Sequence, residues 1–382
     1  MVRGGDGPVA GFSDAEGRLW KPGGMWYNIG MKILAIESSC DETAAAVIED
    51  GVKILSNVVV SQVDIFAKYG GVIPEVAARS HLEAILPVVE KALEDAGLTK
   101  EEIDAIAVTH TPGLMGSLLI GTLTARMLSI LWGKPLYATH HLKSHIYANW
   151  LSTGETPEFP LLSLVISGGH TQIIYMREHN IFEIIGTTRD DAIGECFDKV
   201  AKILGLPYPG GPSIAKAALE GDASRYKLPH PKVEGLDFSF SGLKTAVLRA
   251  VQAELGLPIT TPSYELKEHL SEQQRADFAA SFQATACDIL IDKLKMAVLA
   301  HPEAKSLVFA GGVSANQVLR EKALKTLQNG PDGVFRKVYF PAPRLAGDNG
   351  AMVGAAAYFE VISGVEPTDP YALSIAPRTA IG

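Results

Sequence analysis

The sequence predicts an α/β protein of two domains built on one plan, with a ligand held in the cleft between them. Three observations predict it. An apolar run, a polar turn and a second apolar run occupy Lys32 to Ile48 and recur at Leu161 to Tyr175. An apolar run that passes through a glycine-bearing loop into a helical pattern occurs at Ile106 to Ser117 and again at Leu307 to Asn316. Finally, 382 residues are long for one hydrophobic core and fit about two domains.

Residues 1–30 are rich in glycine, carry Asp6, Asp14, Glu16 and Lys21, and lack a continuous apolar run. They read as a flexible or non-native N-terminal extension rather than a secretory signal, with the regular pattern starting at Met31. Lys32 to Ile36 is a strand, Glu37-Ser38-Ser39-Cys40-Asp41-Glu42-Thr43 a polar turn, and Ala44 to Ile48 a second strand. Residues 80–97 predict a helix with Leu82, Leu86, Val89 and Leu93 on one face, kinked or split at Pro87. The segment Gly113 to Gly133 is apolar but interrupted by Arg126, and neither side reaches the ~20 apolar residues a membrane span requires, so it predicts a buried helix.

The sharpest local signal follows the apolar run Pro135 to Ala138. In Thr139-His140-His141-Leu142-Lys143-Ser144-His145, a helix would put His141 and His145 at i and i+4, where both imidazoles can share a metal ion. Asp348, in a loop-to-helix signal, is a third candidate ligand. Metalloproteases with this spacing need a glutamate directly after the first histidine as general base, and Leu142 stands there. Two histidines and one carboxylate leave coordination positions open, which suits a metal that anchors or polarises a substrate.

Ser167-Gly168-Gly169-His170-Thr171 and Ala310-Gly311-Gly312-Val313-Ser314-Ala315-Asn316 are loops whose backbone N–H groups can approach anionic oxygens closely. The charged excursion Lys227 to Asp237 is expected near the cleft. The helix at residues 271–300 opens with the capping box Ser271 and Gln274 and carries Phe278, Phe282 and Ile289 into the core.

Bulk properties narrow the function classes. The formal net charge of -9 excludes a broadly basic nucleic-acid surface, so any nucleic acid needs a local patch or a partner. Cys40, Cys196 and Cys287 are widely spaced with no CxxC pair, which fits a reduced intracellular protein rather than a disulfide framework.

Taken together, Ile36 to Thr43, Gly70-Gly71-Val72-Ile73-Pro74-Glu75, His141 with His145, Ser167 to Thr171, Asp190-Asp191-Ala192, Gly194 to Lys199, Tyr208-Pro209-Gly210-Gly211-Pro212, Phe238 to Thr245 and Gly311 to Asn316 resemble the TsaD family. The resemblance runs from Met31 to about Tyr358 in order. It implies a two-domain actin-like ATPase fold of the sugar-kinase, heat-shock-ATPase and actin type, with duplicated RNase H-like domains and an interdomain cleft. The first domain would take residues 31–135 plus about 343–382, and the second residues 136–342.

The implied activity is transfer of threonylcarbamoyl from its adenylate to N6 of adenosine 37 in tRNAs that read codons beginning with A. The resemblance assigns His141, His145 and Asp348 to a single metal, Fe(2+) before Zn(2+). It places Val165, Ile166, Ser167, Gly168 and Gly169 near the donor's phosphate, Asp198 and Gly211 at its ribose and Asn316 at its adenine. Asp41 and Glu42 are the candidates for positioning or deprotonating the attacking amine. The implied partners are tRNA, a TsaB heterodimer partner docking on the helices flanking Gly70 to Leu93, the TsaE ATPase, and TsaC as source of the donor, all in the cytoplasm without a membrane.

Two positions depart from the family pattern: Ala346-Gly347 stand where Cys-Thr is usual, and Lys143-Ser144 where Glu-Gly is usual. The alternative function is a nucleotide-dependent kinase or ATPase of the same fold class, which needs a carboxylate-held Mg²⁺ but neither His141 nor His145.

Overall fold

The apolar runs become the strands of two five-stranded sheets. The computed structural model describes residues 18–21, 25–28, 30–152, 154–231 and 233–381. A short hairpin, β1 (Arg18–Lys21) with β2 (Met25–Asn28), comes first. The first sheet holds β3 (Lys32–Glu37), β4 (Glu42–Glu49), β5 (Lys53–Ser61), β6 (Ala105–Thr111) and β7 (Leu136–His140) in the order β5-β4-β3-β6-β7. The second holds β8 (Leu161–Ile166), β9 (Thr171–Met176), β10 (Phe182–Thr187), β11 (Ser306–Ala310) and β12 (Lys337–Tyr339) in the order β10-β9-β8-β11-β12.

The orders are identical. In each sheet the first three strands pair antiparallel and the last two join in parallel. This is the duplicated plan the recurring loops predicted.

Period-two alternation lets each sheet bury both faces. Leu34, Ile36, Val47, Ile106 and Val108 pack against Ile85, Val88 and Leu128 of the helices Pro74–Ala96 and Met115–Trp132. The opposite face, with Ile33, Ala35 and Ala107, packs against Met352, Val353 and Ala357 of the helix Gly350–Ile362. The other side of that helix, with Ala355, Ala356 and Phe359, joins Leu142 and Ile146 of the helix His141–Tyr147 against Val165, Ile174 and Val308 of the second sheet. The two helices that carry the histidines and follow Asp348 therefore lie between the sheets. On its far face the second sheet packs against Phe278 and Phe282 of the helix Glu272–Ala300, whose Ser271 and Gln274 form the expected capping box.

Several expectations change. The hairpin at 18–28 lies inside the supposed extension, while residues 1–17 fall outside the described residues. The first long helix runs Pro74–Ala96, starting six residues before the expected residue 80, and continues past Pro87. It buries His81, Ile85, Val88, Val89 and Ala92, and leaves Leu82 at 65% and Leu86 at 50% exposure. Apolar residues occupy both faces of this helix, so periodicity could not tell which one meets the sheet.

The Met115–Trp132 helix is only half-buried. Ser117, Leu118, Gly121, Ala125 and Leu128 face inward, whereas Met115, Leu119, Leu123, Met127 and Leu131 form an outward stripe at four-residue spacing. Among the described residues it is the one helix long and apolar enough to cross a membrane. Strand β7 pairs with β6, so residues 136–140 lie in the first sheet instead of starting the unit expected at 136–342. Parallel pairing with a buried neighbour, which sequence does not display, decides that boundary.

The excursion before Phe238 is held by Asp237, whose Oδ1 accepts from Thr187 N at 2.9 Å, and by Lys293, whose Nζ donates to the Val233 and Gly235 carbonyls at 2.8 and 2.5 Å. Those bonds tie it to β10 and the Glu272–Ala300 helix. Cys196 and Cys287 are buried free thiols, and burial pushes both up to about 12, which leaves them unreactive.

Candidate functional site

Strand β7 ends at His140, and the chain turns directly into the His141–Tyr147 helix. His140 caps that helix: its Nδ1 accepts from Leu142 N at 3.2 Å and its Nε2 donates to the Thr379 carbonyl at 3.1 Å. It is thereby turned away from its neighbour. His141 and His145, four residues apart, stack edge to face with ring centroids 4.6 Å apart.

Asp348 reaches them from the loop before the Gly350–Ile362 helix. Its Oδ1 lies 3.6 Å from His141 Nε2 and 3.1 Å from His145 Nε2. The loop is pinned by Asn349, whose Oδ1 accepts from Met352 N at 3.0 Å and whose Nδ2 donates to the Gly347 carbonyl at 2.8 Å. Gly350 is required there because a Cβ would stand 2.6 Å from Ala46 N in β4.

Glu37, which the sequence reading left among motif residues, fixes the orientation of His141. Its buried carboxylate accepts from His141 Nδ1 at 3.0 Å, from Thr109 Oγ1 at 2.7 Å and from Ser39 N at 2.5 Å. Holding Nδ1–H in this way leaves Nε2 free to act as a ligand toward Asp348. Glu37 stands at the end of β3 inside the Ile36 to Thr43 motif, and what sets it apart is its full burial, which the sequence does not display.

Charge follows this geometry. Burial opposes the charge of His141, but Asp348 and Glu37 outweigh it and push the imidazole up to about 9. Burial likewise opposes ionisation of Asp348, while His141 and His145 hold its carboxyl down at about 2. Both ring nitrogens of His145 are buried and neither makes a well-directed hydrogen bond, Nε2 having only the Asp348 carboxylate at 3.1 Å. Two nitrogens and an oxygen converge, with candidate ligand atoms within 4.8 Å of one another. A divalent cation fits: it would satisfy the orphaned His145 nitrogen and meet the same negative potential that draws a proton to His141.

His170 stands beside this cluster in the second-sheet loop. Burial, followed by the charges of His141 and His145, lowers it to about 4. It belongs to the Ser167 to Thr171 motif but is not among the expected site residues.

Asp41 and Glu42 lie on a loop braced from behind. The Cys40 carbonyl accepts from His81 Nε2 at 2.9 Å and Ser117 Oγ at 3.1 Å, and Thr43 Oγ1 donates to His81 Nδ1 at 2.8 Å. Burial, with the charges of Asp348 and Asp41, pushes Glu42 up to about 10. Glu42 therefore holds its proton at neutral pH.

Across the cleft, Val165 and Ile166 are fully buried in β8 and position the next residues instead of presenting side chains. The Ser167 to His170 turn closes with Ser167 N donating to the His170 carbonyl at 2.9 Å, and the Ile193–Leu204 helix starts beneath it, with Gly194 N donating to the Ser167 carbonyl at 3.2 Å. Gly168 and Gly169 face open space.

Asp198 accepts from Gly210 N at 2.6 Å. Burial raises its carboxyl, the Gly210 amide opposes that rise, and the charges of Asp41 and Glu195 add to it. A cavity of about 170 Å³ lies between Gly70, Asp198 and Tyr208, and Gly211 is open. Asn316 is more committed than expected: its Oδ1 caps the Gln317–Leu327 helix at Leu319 N, 3.0 Å away, and its Nδ2 donates to Gln283 Oε1 at 2.7 Å. Of its polar capacity, the second lone pair of Oδ1 and the second N–H remain.

The sequence pattern of TsaD, tRNA N6-adenosine threonylcarbamoyltransferase, matches residues 53–355. The chain belongs to the TsaD family. A relative named tRNA N6-adenosine threonylcarbamoyltransferase in Symbiobacterium thermophilum is 51% identical over 334 residues, covering 87% of this chain and 92% of that one. One of the same name in Moorella thermoacetica is 46% identical over 332 residues, covering 86% and 92%. The substituted positions of this TsaD chain leave the ligands in place. Lys143 lies over the Phe182 ring, 4.8 Å from its centroid, and Gly347 supplies a carbonyl to Asn349.

Proposed function

We propose that the protein transfers threonylcarbamoyl from threonylcarbamoyl-adenylate to N6 of adenosine 37 in tRNA, working in the cytoplasm. The observation that carries this reading is the convergence of His141, His145 and Asp348 between two glycine-loop sheets in a TsaD chain. A kinase or ATPase of this fold class has no use for two histidines held in that way.

His141, His145 and Asp348 would hold one divalent metal, Fe(2+) or Zn(2+), with Glu37 fixing His141. When bound, the metal supplies a Lewis acid that offsets negative charge developing on the transferred acyl group. The remaining steps belong to side chains and backbone. Gly168 and Gly169 present amides to the donor's phosphate, with the Ile193–Leu204 helix N-terminus behind them. Asp198 accepts a ribose hydroxyl beside Gly211, and Asn316 uses its remaining N–H and lone pair on the adenine edge. Asp41 takes the proton from the N6 amine as that nitrogen bonds to the carbamoyl carbon, and the bond from that carbon to the phosphate oxygen breaks to release AMP. Glu42, already protonated, donates a hydrogen bond and keeps a second negative charge out of the cleft.

The outward stripe Met115, Leu119, Leu123, Met127 and Leu131, beside exposed Leu82 and Leu86, supports docking of TsaB on these two helices. TsaE would act as the accompanying ATPase, and TsaC would make the donor. Complementation of a strain depleted of its own enzyme, read by mass spectrometry of tRNA nucleosides, tests the reading. Threonylcarbamoyladenosine should return with the wild-type chain and fail to return with His141→Ala. Its return with the variant would refute the metal-centred account.

A further inference from the structure

We propose that the pocket at Arg378 binds a phosphodiester of the tRNA substrate beside the nucleotide being modified, an inference that rests on the tRNA-modifying reading above. The pocket has a volume of about 420 Å³, within the range of ligand sites, and three separate parts of the chain build it. Pro112 and Gly113 come from the loop after β6, His170 from the loop between β8 and β9, and Pro377 to Ala380 from a segment lying across both.

That segment is stitched in place by its backbone. Ala376 N donates to the His110 carbonyl at 3.0 Å, Gly113 N donates to the Pro377 carbonyl at 3.2 Å, and the Thr379 carbonyl accepts from His140 Nε2 at 3.1 Å. The pocket is thus anchored one residue from His141 on one side and one residue from Gly169 on the other.

Arg378 is the one lining residue with a fixed charge. It is exposed, and among the described residues no hydrogen bond or ion pair engages its guanidinium. His170, which lines the same pocket, stands beside the acidic wall that holds Asp348. A polynucleotide approaching a chain of net charge -9 meets repulsion at this wall, and a nucleotide can enter only with its flanking phosphates at the mouth. A free guanidinium there offsets the repulsion and fixes register, since it can grip two phosphate oxygens at once. The donor carries anionic groups as well, and the test separates the two sources.

Arg378→Ala and Arg378→Lys are assayed in the complete chain with TsaB and TsaE, varying unmodified tRNA and donor separately. tRNA binding is also titrated by filter retention at several salt concentrations. In Arg378→Ala the KM for tRNA should rise about tenfold, as expected for a lost charged hydrogen-bond pair, with the KM for donor unchanged. The slope of log K against log salt should flatten by roughly 0.7 to 0.9, one phosphate contact. Arg378→Lys should restore the slope and only part of the affinity, because a lysine cannot grip two oxygens. A wild-type KM for tRNA and an unchanged slope in Arg378→Ala would overturn the proposal, as would a rise confined to donor. Failure of the wild-type complex to form threonylcarbamoyladenosine would instead refute the underlying reading, and the salt titration would still decide whether Arg378 meets nucleic acid.

Discussion

The two sheets share one strand order yet carry opposite loops. At the first sheet, the Glu37 to Thr43 loop is tied down throughout: Glu37 takes three donors, the Cys40 carbonyl takes two, and Thr43 is held by His81. At the second, Gly168, Gly169 and Gly211 face open space. Duplication supplied one scaffold twice. One copy carries a braced acidic wall, and the other an open glycine cradle that the proposed function fills with the donor. Substitutions on the wall should therefore act through the metal, and those on the cradle through donor affinity.

The largest effect is expected for His145→Ala. Losing one of three ligands should reduce metal content and transfer together, by more than the 10–100-fold typical of groups behind the ligands. Plasma emission analysis alongside the transfer assay checks this, and full metal content would remove His145 from the site.

Glu37→Gln comes next and asks whether the wall aims His141. A metal-bound imidazole must lose its proton, so a histidine raised to about 9 makes metal affinity climb with pH from about 7 to about 9. The Gln variant lowers the pKa of His141 and should flatten that climb, while weakening the metal about 10–100-fold. Metal titrations at three pH values give the answer, and an unchanged pH profile would remove Glu37 from the assembly.

On the cradle, Asp198→Asn should lower donor affinity about tenfold by removing a charged acceptor, with metal content intact. Calorimetry with a non-hydrolysable adenylate measures it. Lost metal in this variant would blur the distinction between the two loops.

Glu42→Gln should do least to activity, within about twofold, because the wild-type side chain is already neutral at pH 7. Its stability signature has a definite sign. A carboxyl raised to about 10 in the folded state stabilises below its unfolded pKa near 4.5 and loses that contribution as pH rises. In chelator-treated protein, Glu42→Gln should accordingly raise Tm at pH 8 and not at pH 4. Asp41→Asn should be far more damaging to transfer. Equal losses in both variants would contradict the division of roles.

Much of this was legible in the sequence because the duplicated plan is written in local patterns. Strand, loop and strand recurred at corresponding places, and histidines at i and i+4 reported a helix face. What stayed hidden depended on contacts between distant residues. The inward face of the Pro74–Ala96 helix was misread because leucines lie on both sides, and only packing on β4 and β5 selects Ile85 and Val88. The membership of β7 in the first sheet is a matter of strand pairing. Glu37 looked like any polar residue after a strand until His141, 104 positions away, was seen to share its carboxylate. Asn316 looked free to read a purine, yet a helix N-terminus and Gln283 use much of its capacity.

The most direct test of the account joins metal to product. Purified wild-type chain and the His141→Ala variant would be incubated with TsaB, TsaE, threonylcarbamoyl-adenylate and unmodified tRNA, and each sample analysed for metal per chain and for threonylcarbamoyladenosine per tRNA. The account predicts about one metal and abundant modified nucleoside for the wild type, and loss of both in the variant. Abundant modified nucleoside from a metal-depleted His141→Ala protein would contradict it.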